Sequence, residues 1–373
     1  MSTLAALHIH PRITVDLGAI AENTRRFVHE AGAVMAVVKA DGYGHGAADV
    51  ARTALANGAR MLGVTTLDEA VALRDACVEA PILAWLNPVD ADWTLALQHR
   101  IEVAVPSLEH LASVVRTAPG TSIHLQLDTG LARDGAAPEE WEALCRTARH
   151  EERLGHVKVA GVMGHLACAD LPGDERNAEG RERFEHGVWV ASTVGLRPRL
   201  VHLAATAAAL TDPLSRFGLS RVGAGLVGID PSHTVALRPA MTLTAPLVDV
   251  RTVAAGTGVG YGHDWVAPHP TRLGLVPLGY ADGLPRAASG RAEVQVGDRR
   301  RPIVGRISMD TAVVDLGDLP ARRGDAITVF GPGDCGEPTV RDWATWSATI
   351  EHEIVVGLGQ RIHRHVHHNE VAA

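Results

Sequence analysis

The sequence predicts an α/β chain, with an N-terminal barrel of eight strand–helix units followed by a smaller, mostly β domain. Eight short apolar, often β-branched runs occur before residue 240 and alternate with helical patterns. Beyond that point the helical periodicity ends, and strand-like runs separated by Gly and Asp turns take over. Alternation of strands and helices is typical of parallel sheets covered on both faces. Eight units in about 220 residues favour closure into a TIM-type (β/α)8 barrel over an open doubly wound sheet.

The predicted barrel strands are short, continuous apolar runs, which are typical of strands buried on both faces of a parallel sheet. They are the runs 33–40, 61–66, 81–87, 101–107, 122–130, 157–165, 200–205 and 224–229. Helical patterns such as "LDEAVALRDACVEA" and "PEEWEALCRTARH" lie between them. The first of these follows Thr66 and carries Glu69 three residues after it, which predicts a capping box.

The second domain is predicted from runs such as "MTLTAPLVDVRTV", "RLGLVPLGY" and "DAITVFG". A hairpin turn is predicted at "VGDRRR" and one short helix at "TVRDWATWSA". We therefore divide the chain into a barrel domain, residues 1–240, and a β domain, residues 241–373. The first residues of the chain are a candidate for pairing with the β domain.

Composition limits the function classes. A formal net charge of -8 over 373 residues argues against nucleic acid or an anionic membrane surface as the main partner. No apolar stretch is long enough to span a membrane, and the start lacks the pattern of a signal peptide. Four cysteines without metal or disulfide spacing fit a reducing cytoplasm. The end, "RIHRHVHHNEVAA", offers weak metal capture, but a frayed, solvated terminus is the commoner outcome, so no metal site is predicted.

Polar residues at the predicted strand ends are candidates for an active site, because barrel active sites lie at the carboxyl ends of the strands. In chain order they are Lys39, Asp128, Arg133, His165, His202, Thr206 and Arg221. Cations, hydroxyls and glycines that meet at a barrel mouth suit an anionic, phosphate-bearing ligand. Barrels commonly bind phosphate after strands seven and eight, where Thr206 and the backbone of "RVGAG" fall.

The stretch "GAGLVG" matches the G-x-G-x-x-G pattern of dinucleotide-binding folds. That fingerprint requires a helix opening within it, whereas "IDPSHTV" follows here, with a proline and no helical pattern. We therefore set a dinucleotide site aside.

A strand-end lysine can form a Schiff base with pyridoxal 5'-phosphate (PLP), although most such lysines are simply solvated. The stretch around Lys39, "AVVKADGYGHG", resembles the PLP-lysine signature of the alanine racemase family. Seven further blocks resemble that family in order and at similar spacing: "LDTGLARDG", "GVMGHLACAD", "VHLAATAAAL", "SRVGAGLVGIDP", "GVGYG", "LGYADGLPR" and "GRISMD". The resemblance therefore covers the full length of the chain.

The resemblance implies a PLP-dependent amino-acid racemase whose active site is shared between the subunits of a homodimer. Lys39 would carry the cofactor and act as one catalytic base, and Tyr261 of the partner subunit would act as the second. Racemisation needs one group to remove the α-proton from one face and another to return a proton to the opposite face. The residues implied to hold the phosphate are Tyr43, Thr206, Gly223 and Ala224.

Arg221 is implied to face the pyridine nitrogen of the cofactor. A guanidinium keeps its own proton and cannot protonate that nitrogen as an Asp would, which favours racemisation over transamination or elimination. His165 is implied to link Arg221 to the catalytic tyrosine, and Arg133 and the backbone of Met309 to bind the substrate carboxylate. Tyr280, Asp170, Arg286 and Arg306 match residues of the family's substrate corridor, although a solvated rim explains them almost as well.

Three positions depart from the family pattern. Gln126 replaces a lysine, often carbamylated, that supports the arginine matching Arg133, and we expect its carbonyl to accept from Arg133 instead. Asp134 follows Arg133 directly and is a candidate to pair with it. Gln360 replaces a tyrosine that contacts the phosphate and narrows the corridor.

The function implied is cytoplasmic interconversion of L- and D-alanine, supplying D-alanine for peptidoglycan. A racemase for serine or a larger amino acid stays open because of Gln360. A PLP-dependent decarboxylase is disfavoured, since Cys335 is the one cysteine of the β domain and lies outside the motifs. A non-enzymatic PLP carrier made of the barrel alone is disfavoured by the second domain and Tyr261.

Overall fold

The computed structural model describes residues 10–367. It forms two compact units: Ala19–Arg238, here called the barrel unit, and the described residues on either side of it, here called the β unit. Among the described residues, no helix is both long and apolar enough to cross a membrane.

The barrel unit contains eight strands and most of the helices. Its strands are β2 (Val34–Val37), β3 (Met61–Val64), β4 (Ile82–Ala84), β5 (Ile101–Val105), β6 (Thr121–Gln126), β7 (Val157–Met163), β8 (Leu200–His202) and β9 (Ser220–Val222), numbered after β1 (Arg12–Asp16) of the β unit. Its helices are α1 (Leu17–Ala31, which begins two residues before the unit), α2 (Ala47–Ala56), α3 (Leu67–Asp75), α4 (Trp93–Gln98), α5 (Leu108–Thr117), α6 (Pro138–Arg153), α7 (Glu175–Thr193) and α8 (Thr206–Thr211).

The eight barrel strands form one parallel sheet in the order β8-β7-β6-β5-β4-β3-β2-β9, a nearly closed barrel. Met35, Met61, Leu83, Ala104 and Met163, from five of the strands, belong to one buried apolar cluster. The predicted fold class, a TIM-type barrel with a separate mostly β domain, is confirmed.

The eighth strand, however, lies earlier than the sequence analysis placed it. The strand is Ser220–Val222, and the predicted run 224–229 begins with a 3-10 turn, Ala224–Val227, that ends at Gly228 with φ 91°. The prediction failed because a short, wholly apolar run can be buried in a turn as well as in a strand, and its hydrophobicity alone does not distinguish the two. The correction places Arg221 inside the strand.

The predicted cap of α3 is confirmed. Thr66 Oγ1 accepts from the Glu69 N–H at 3.2 Å, and the Glu69 carboxylate accepts from the backbone at Thr65 and Thr66. This capping box fixes the chain where it leaves β3.

Beyond β1, the strands of the β unit are β10 (Met241–Pro246), β11 (Asp249–Val253), β12 (Gly258–Val259), β13 (Trp265–Val266), β14 (Thr271–Val276), β15 (Glu293–Val296), β16 (Arg299–Pro302), β17 (Ala312–Asp315), β18 (Ala326–Phe330) and β19 (His363–His367). They form a six-stranded sheet in the order β16-β15-β18-β10-β1-β19 and a three-stranded sheet in the order β11-β14-β17. The hairpin predicted at "VGDRRR" is confirmed, since β15 and β16 pair across Gly297 and Asp298. Its helices are α9 (Val340–Ser347), which confirms the predicted short helix, and α10 (Glu351–Val356), which the sequence analysis missed.

The expectation of a frayed C-terminal tail is wrong for its first part. His363–His367 form strand β19, which pairs in parallel with β1 along Arg12–Asp16. β1 supplies a free edge there, because its other edge pairs with β10. The rest of the tail, residues 368–373, lies outside the described residues.

Candidate active site

The sequence-predicted residues of the barrel unit meet where the strands end. Lys39 follows β2, Arg133 follows β6, His165 follows β7 and Arg221 lies in β9. The positive charges of Arg221, Arg133 and Lys39 all act on His165. This mouth therefore presents converging cations and suits an anionic ligand.

Lys39 stands directly before a left-handed turn. Ala40, Asp41, Gly42 and Tyr43 all have φ between 50° and 63°, a conformation that costs energy for residues other than glycine and occurs mostly where surrounding contacts enforce it. One such contact is the Ala40 N–H, which donates to Glu69 Oε1 at 2.7 Å. Glu69 therefore joins the ends of β2 and β3, a role that the sequence analysis missed; its position in the capping box was the one available signal.

The Lys39 amine is half-buried. Burial, and then the charge of Arg133, lower its pKa below the ordinary 10.5, while Glu69 opposes the shift. A lysine with a lowered pKa has a larger fraction of neutral amine, the form that attacks a carbonyl or accepts a proton.

Arg221 is 5% exposed and makes five hydrogen bonds. Its NH1 donates to the Nδ1 and backbone oxygen of His202, each at 2.9 Å, and its NH2 donates to Gly164 O at 2.7 Å, to Leu203 O at 3.1 Å and to His165 Nδ1 at 3.1 Å. All five acceptors are uncharged. Burial and the nearby Arg133 lower the pKa of Arg221 to about 10, so the guanidinium stays charged at neutral pH.

His165 is neutral at neutral pH. Burial, and then the charges of Arg221, Arg133 and Lys39, lower its pKa to about 3. Since its Nδ1 accepts from Arg221, the proton of the neutral ring is on Nε2. His165 can therefore donate from Nε2 to a further group.

A small backbone cradle lies between the ends of β8 and β9. Thr206 Oγ1 accepts from the N–H groups of Gly223 and Gly225, at 3.3 and 3.2 Å. A Cβ on Gly223 would contact the hydroxyl of Tyr43, so glycine is required for the tyrosine to lie there. Ala224 begins the 3-10 turn, so its N–H points out of the turn's N-terminal end, as an anion site needs.

The expected support of Arg133 by Gln126 is absent. The Gln126 side chain is 8% exposed, and its Oε1 has no hydrogen-bond partner. Asp134, the other candidate partner, uses its Oδ1 to accept from Gly135 N. The Gln126 expectation came from the family lysine that Gln126 replaces, and the Asp134 expectation came from its position next to Arg133. In the structure, Gln126 ends a strand whereas Arg133 lies in an exposed loop.

Site residues of the β unit lie on its surface. Tyr261 is 72% exposed, Met309 is 54% exposed and Tyr280 is 43% exposed. Tyr261 stands between Gly260 and Gly262, which have φ values of 70° and 76°.

The corridor candidates belong to both units. Arg306 NH2 donates to Asp264 Oδ1 at 2.9 Å in the β unit, close to Gly262. Arg286 lies in a short 3-10 turn of the same unit, Asp170 is exposed in the barrel unit and Gln360 is exposed in the β unit. Within residues 10–367, no cluster of three or more His, Cys, Asp or Glu side chains could hold a metal ion.

Comparison with known proteins gives one consistent result. Residues 15–231 match the family model "Alanine racemase, N-terminal domain", and residues 240–366 match "Alanine racemase, C-terminal domain". An alanine racemase of Thermobifida fusca is 44% identical over 359 residues, covering 94% of this chain and 96% of that protein.

Two solved structures of alanine racemases have the same fold as this chain. Alanine racemase from D-cycloserine-producing Streptomyces lavendulae has a TM-score of 0.93 at 40% identity, covering 96% of this chain and 97% of that one. Alanine racemase from Bartonella henselae, with covalently bound pyridoxal phosphate, has a TM-score of 0.87 at 27% identity, covering 96% of this chain and 99% of that one.

Proposed function

The chain belongs to the alanine racemase family, and we propose that it interconverts L- and D-alanine with pyridoxal 5'-phosphate as its cofactor. The observation that carries the proposal is the buried, charged Arg221, held by uncharged acceptors at the mouth that also contains Lys39.

The residues present suit the cofactor. Lys39 supplies the amine, and its lowered pKa favours covalent attachment. The cradle of Thr206, Gly223 and Ala224, beside Tyr43, suits a phosphate. All five hydrogen bonds of Arg221 use NH1 and NH2, which leaves its Nε–H as the donor to a ring nitrogen.

Pyridoxal phosphate, when bound, withdraws electrons from the amino acid's α-carbon and makes its proton acidic. Arg221 limits that effect, because it keeps its own proton and donates only a hydrogen bond to the ring nitrogen. A moderate electron sink favours quick return of the proton to the α-carbon, which is the outcome racemisation requires. A carboxylate in the same place would favour other reaction types.

Two groups then exchange protons with the α-carbon. Lys39 serves one face, and Tyr261 of the partner subunit serves the other. His165, neutral and protonated on Nε2, can donate to the tyrosine oxygen; a hydrogen bond to the charged form of a tyrosine lowers its pKa. Arg133, with its exposed cation, binds the substrate carboxylate together with the backbone of Met309 from the partner.

We propose a homodimer with shared sites, and the exposure of Tyr261 and Met309 supports it. We place the enzyme in the cytoplasm, where its D-alanine would supply peptidoglycan.

Exchange of the α-proton for solvent deuterium tests the substrate. Purified holoenzyme is incubated in D2O with L-alanine, L-serine and larger L-amino acids, and exchange is followed by NMR. We expect alanine to exchange fastest. Exchange of a larger substrate without alanine would move the function to the alternative that Gln360 suggests.

Reduction with borohydride tests the cofactor assignment independently of turnover. We expect the reduced protein to carry the cofactor on the peptide that contains Lys39, and Lys39→Ala protein to carry none. A covalent adduct on another lysine, or an unchanged adduct in Lys39→Ala, would contradict the assignment.

A further inference from the structure

A line of buried polar side chains crosses the barrel interior behind Arg221. His202, in β8, contacts Arg221; its Nε2 lies 2.8 Å from Nδ1 of His124, in β6. The Nε2 of His124 lies 2.6 Å from Oε2 of Glu102, in β5. Both imidazoles are fully buried and Glu102 is 9% exposed. We call Glu102, His124 and His202 the interior relay.

The direction of every hydrogen bond in the interior relay follows from its two ends. Arginine only donates, so Nδ1 of His202 must be the lone-pair nitrogen and the ring's single proton is on Nε2. That proton is donated to Nδ1 of His124, which therefore has its own proton on Nε2. The latter is donated to Glu102, which in its ionised form can only accept. Both histidines are thus neutral Nε2–H tautomers, with no freedom to reverse.

The far end of the interior relay is built to stay ionised. Burial alone would raise the pKa of Glu102, but the hydrogen bond from His124 and the charges of Arg199 and Lys158 bring the pKa below its ordinary value. Arg199 pairs with Oε1 and leaves Oε2 to His124. A second feature makes room for the relay: a Cβ on Gly161 would collide with the His124 ring.

Since Arg221 has no carboxylate among its partners, its position depends on the lone pairs and carbonyls that face it. If His202 took the other tautomer, an N–H would face NH1 of Arg221, donor against donor, and the guanidinium would move. We propose that Glu102, acting through His124 and His202, is a positioning residue that holds Arg221 in its catalytic orientation. The proposal deepens, and rests on, the function proposed above.

The test combines 15N NMR of the histidine rings in the holoenzyme with steady-state kinetics and the visible spectrum of the bound cofactor. In the wild type, we expect both relay histidines to be neutral Nε2–H tautomers. An imidazolium or an Nδ1–H tautomer at either would overturn the proposal, and this reading needs no variant to fold and no racemase activity.

Glu102→Leu removes the terminal acceptor while keeping a similar volume, and Glu102→Gln restores an acceptor without the charge. We expect Glu102→Leu to change the tautomer signals, shift the cofactor spectrum and lower kcat by about tenfold or more with little change in KM, as a small misplacement of a catalytic group does. Glu102→Gln should restore the wild-type tautomers of both histidines and most of the wild-type kcat.

Glu79→Leu is the matched control, because Glu79 lines the same cavity as Glu102 but pairs on the surface with Arg100. It should leave all three readouts unchanged. Wild-type tautomers and kcat in Glu102→Leu would overturn the proposal, as would equal losses in Glu102→Leu and Glu102→Gln with unchanged tautomers. Absence of alanine turnover in the wild type would instead count against the proposed function.

Discussion

The proposed site residues of the two units differ sharply in burial. In the barrel unit, Arg221 is 5% exposed and makes five hydrogen bonds, and Thr206 is 4% exposed. In the β unit, Tyr261 is 72% exposed and Met309 is 54% exposed. The barrel-unit residues of the proposed site are preorganised within their own chain, whereas the β-unit residues proposed to complete it are displayed on the surface.

The contrast has a physical meaning. Groups that stabilise charge act best when other bonds already hold them, because they need no reorganisation during the reaction. A large aromatic side chain left exposed on a Gly-Tyr-Gly turn gains little within its own chain. This difference supports the proposal that the β-unit residues complete a site on a second copy of the chain.

Tyr261→Phe should have the largest effect. Removal of the phenol takes away one of the two bases, and general acid–base groups typically contribute about 10²–10⁴-fold. We expect α-proton exchange of L-alanine into D2O to fall by about 10²-fold or more while D-alanine, served by Lys39, keeps exchanging. D-alanine exchange in the same preparation is the control, and equal loss for both enantiomers would contradict the division of labour between the two bases.

The buried histidines of the barrel unit should make it sensitive to acid. Burial and Arg221 lower the pKa of His165 to about 3 and that of His202 well below 6.5. Below pH 6.5 the unfolded chain therefore binds more protons than the folded chain. As the pH is lowered, the free energy of unfolding decreases by up to about 1.4 kcal/mol per pH unit for each histidine.

Urea unfolding between pH 7.5 and 5, at one protein concentration, measures this slope. In His165→Asn, the slope should correspond to about one fewer proton taken up on unfolding. In His263→Asn, at a surface position of the β unit, the slope should be unchanged. An identical slope in wild type and His165→Asn would mean that His165 is not held neutral.

Gln126→Met should have the smallest effect. Its Oε1 is a buried acceptor without a partner, and a methionine of similar volume removes that unmet acceptor. We expect a stability change between zero and about +1 kcal/mol and an unchanged kcat/KM. Marked destabilisation, or a rise in KM, would show that the amide supports Arg133 after all.

The elements predicted correctly from the sequence are those that local sequence rules determine. The capping box of Thr66 and Glu69 and the β15–β16 turn follow from local rules that need no tertiary context. The eighth strand was misplaced because the run 224–229 is as apolar as a strand yet forms a 3-10 turn. Strand β19 was missed because its pairing with β1 joins distant parts of the chain.

The candidate site shows the same limit. Lys39, His165 and Arg221 could be predicted from strand ends and family blocks, and the structure brings them together. Glu102 and His124 could not, because each lies within a strand rather than after its carboxyl end, and its meaning depends on a partner 22 positions away in the chain. The independence of Gln126 and Arg133 was equally invisible in the sequence.

Subunit complementation tests the central claim, that the exposed half of one chain completes the preorganised half of another. Lys39→Ala and Tyr261→Phe chains, each nearly inactive alone, are co-expressed with different tags and the pool is assayed for racemisation. Since a heterodimer with shared sites contains one intact Lys39–Tyr261 site, random assembly should recover about one quarter of wild-type activity. No recovery, although the tags confirm heterodimers, would contradict the account.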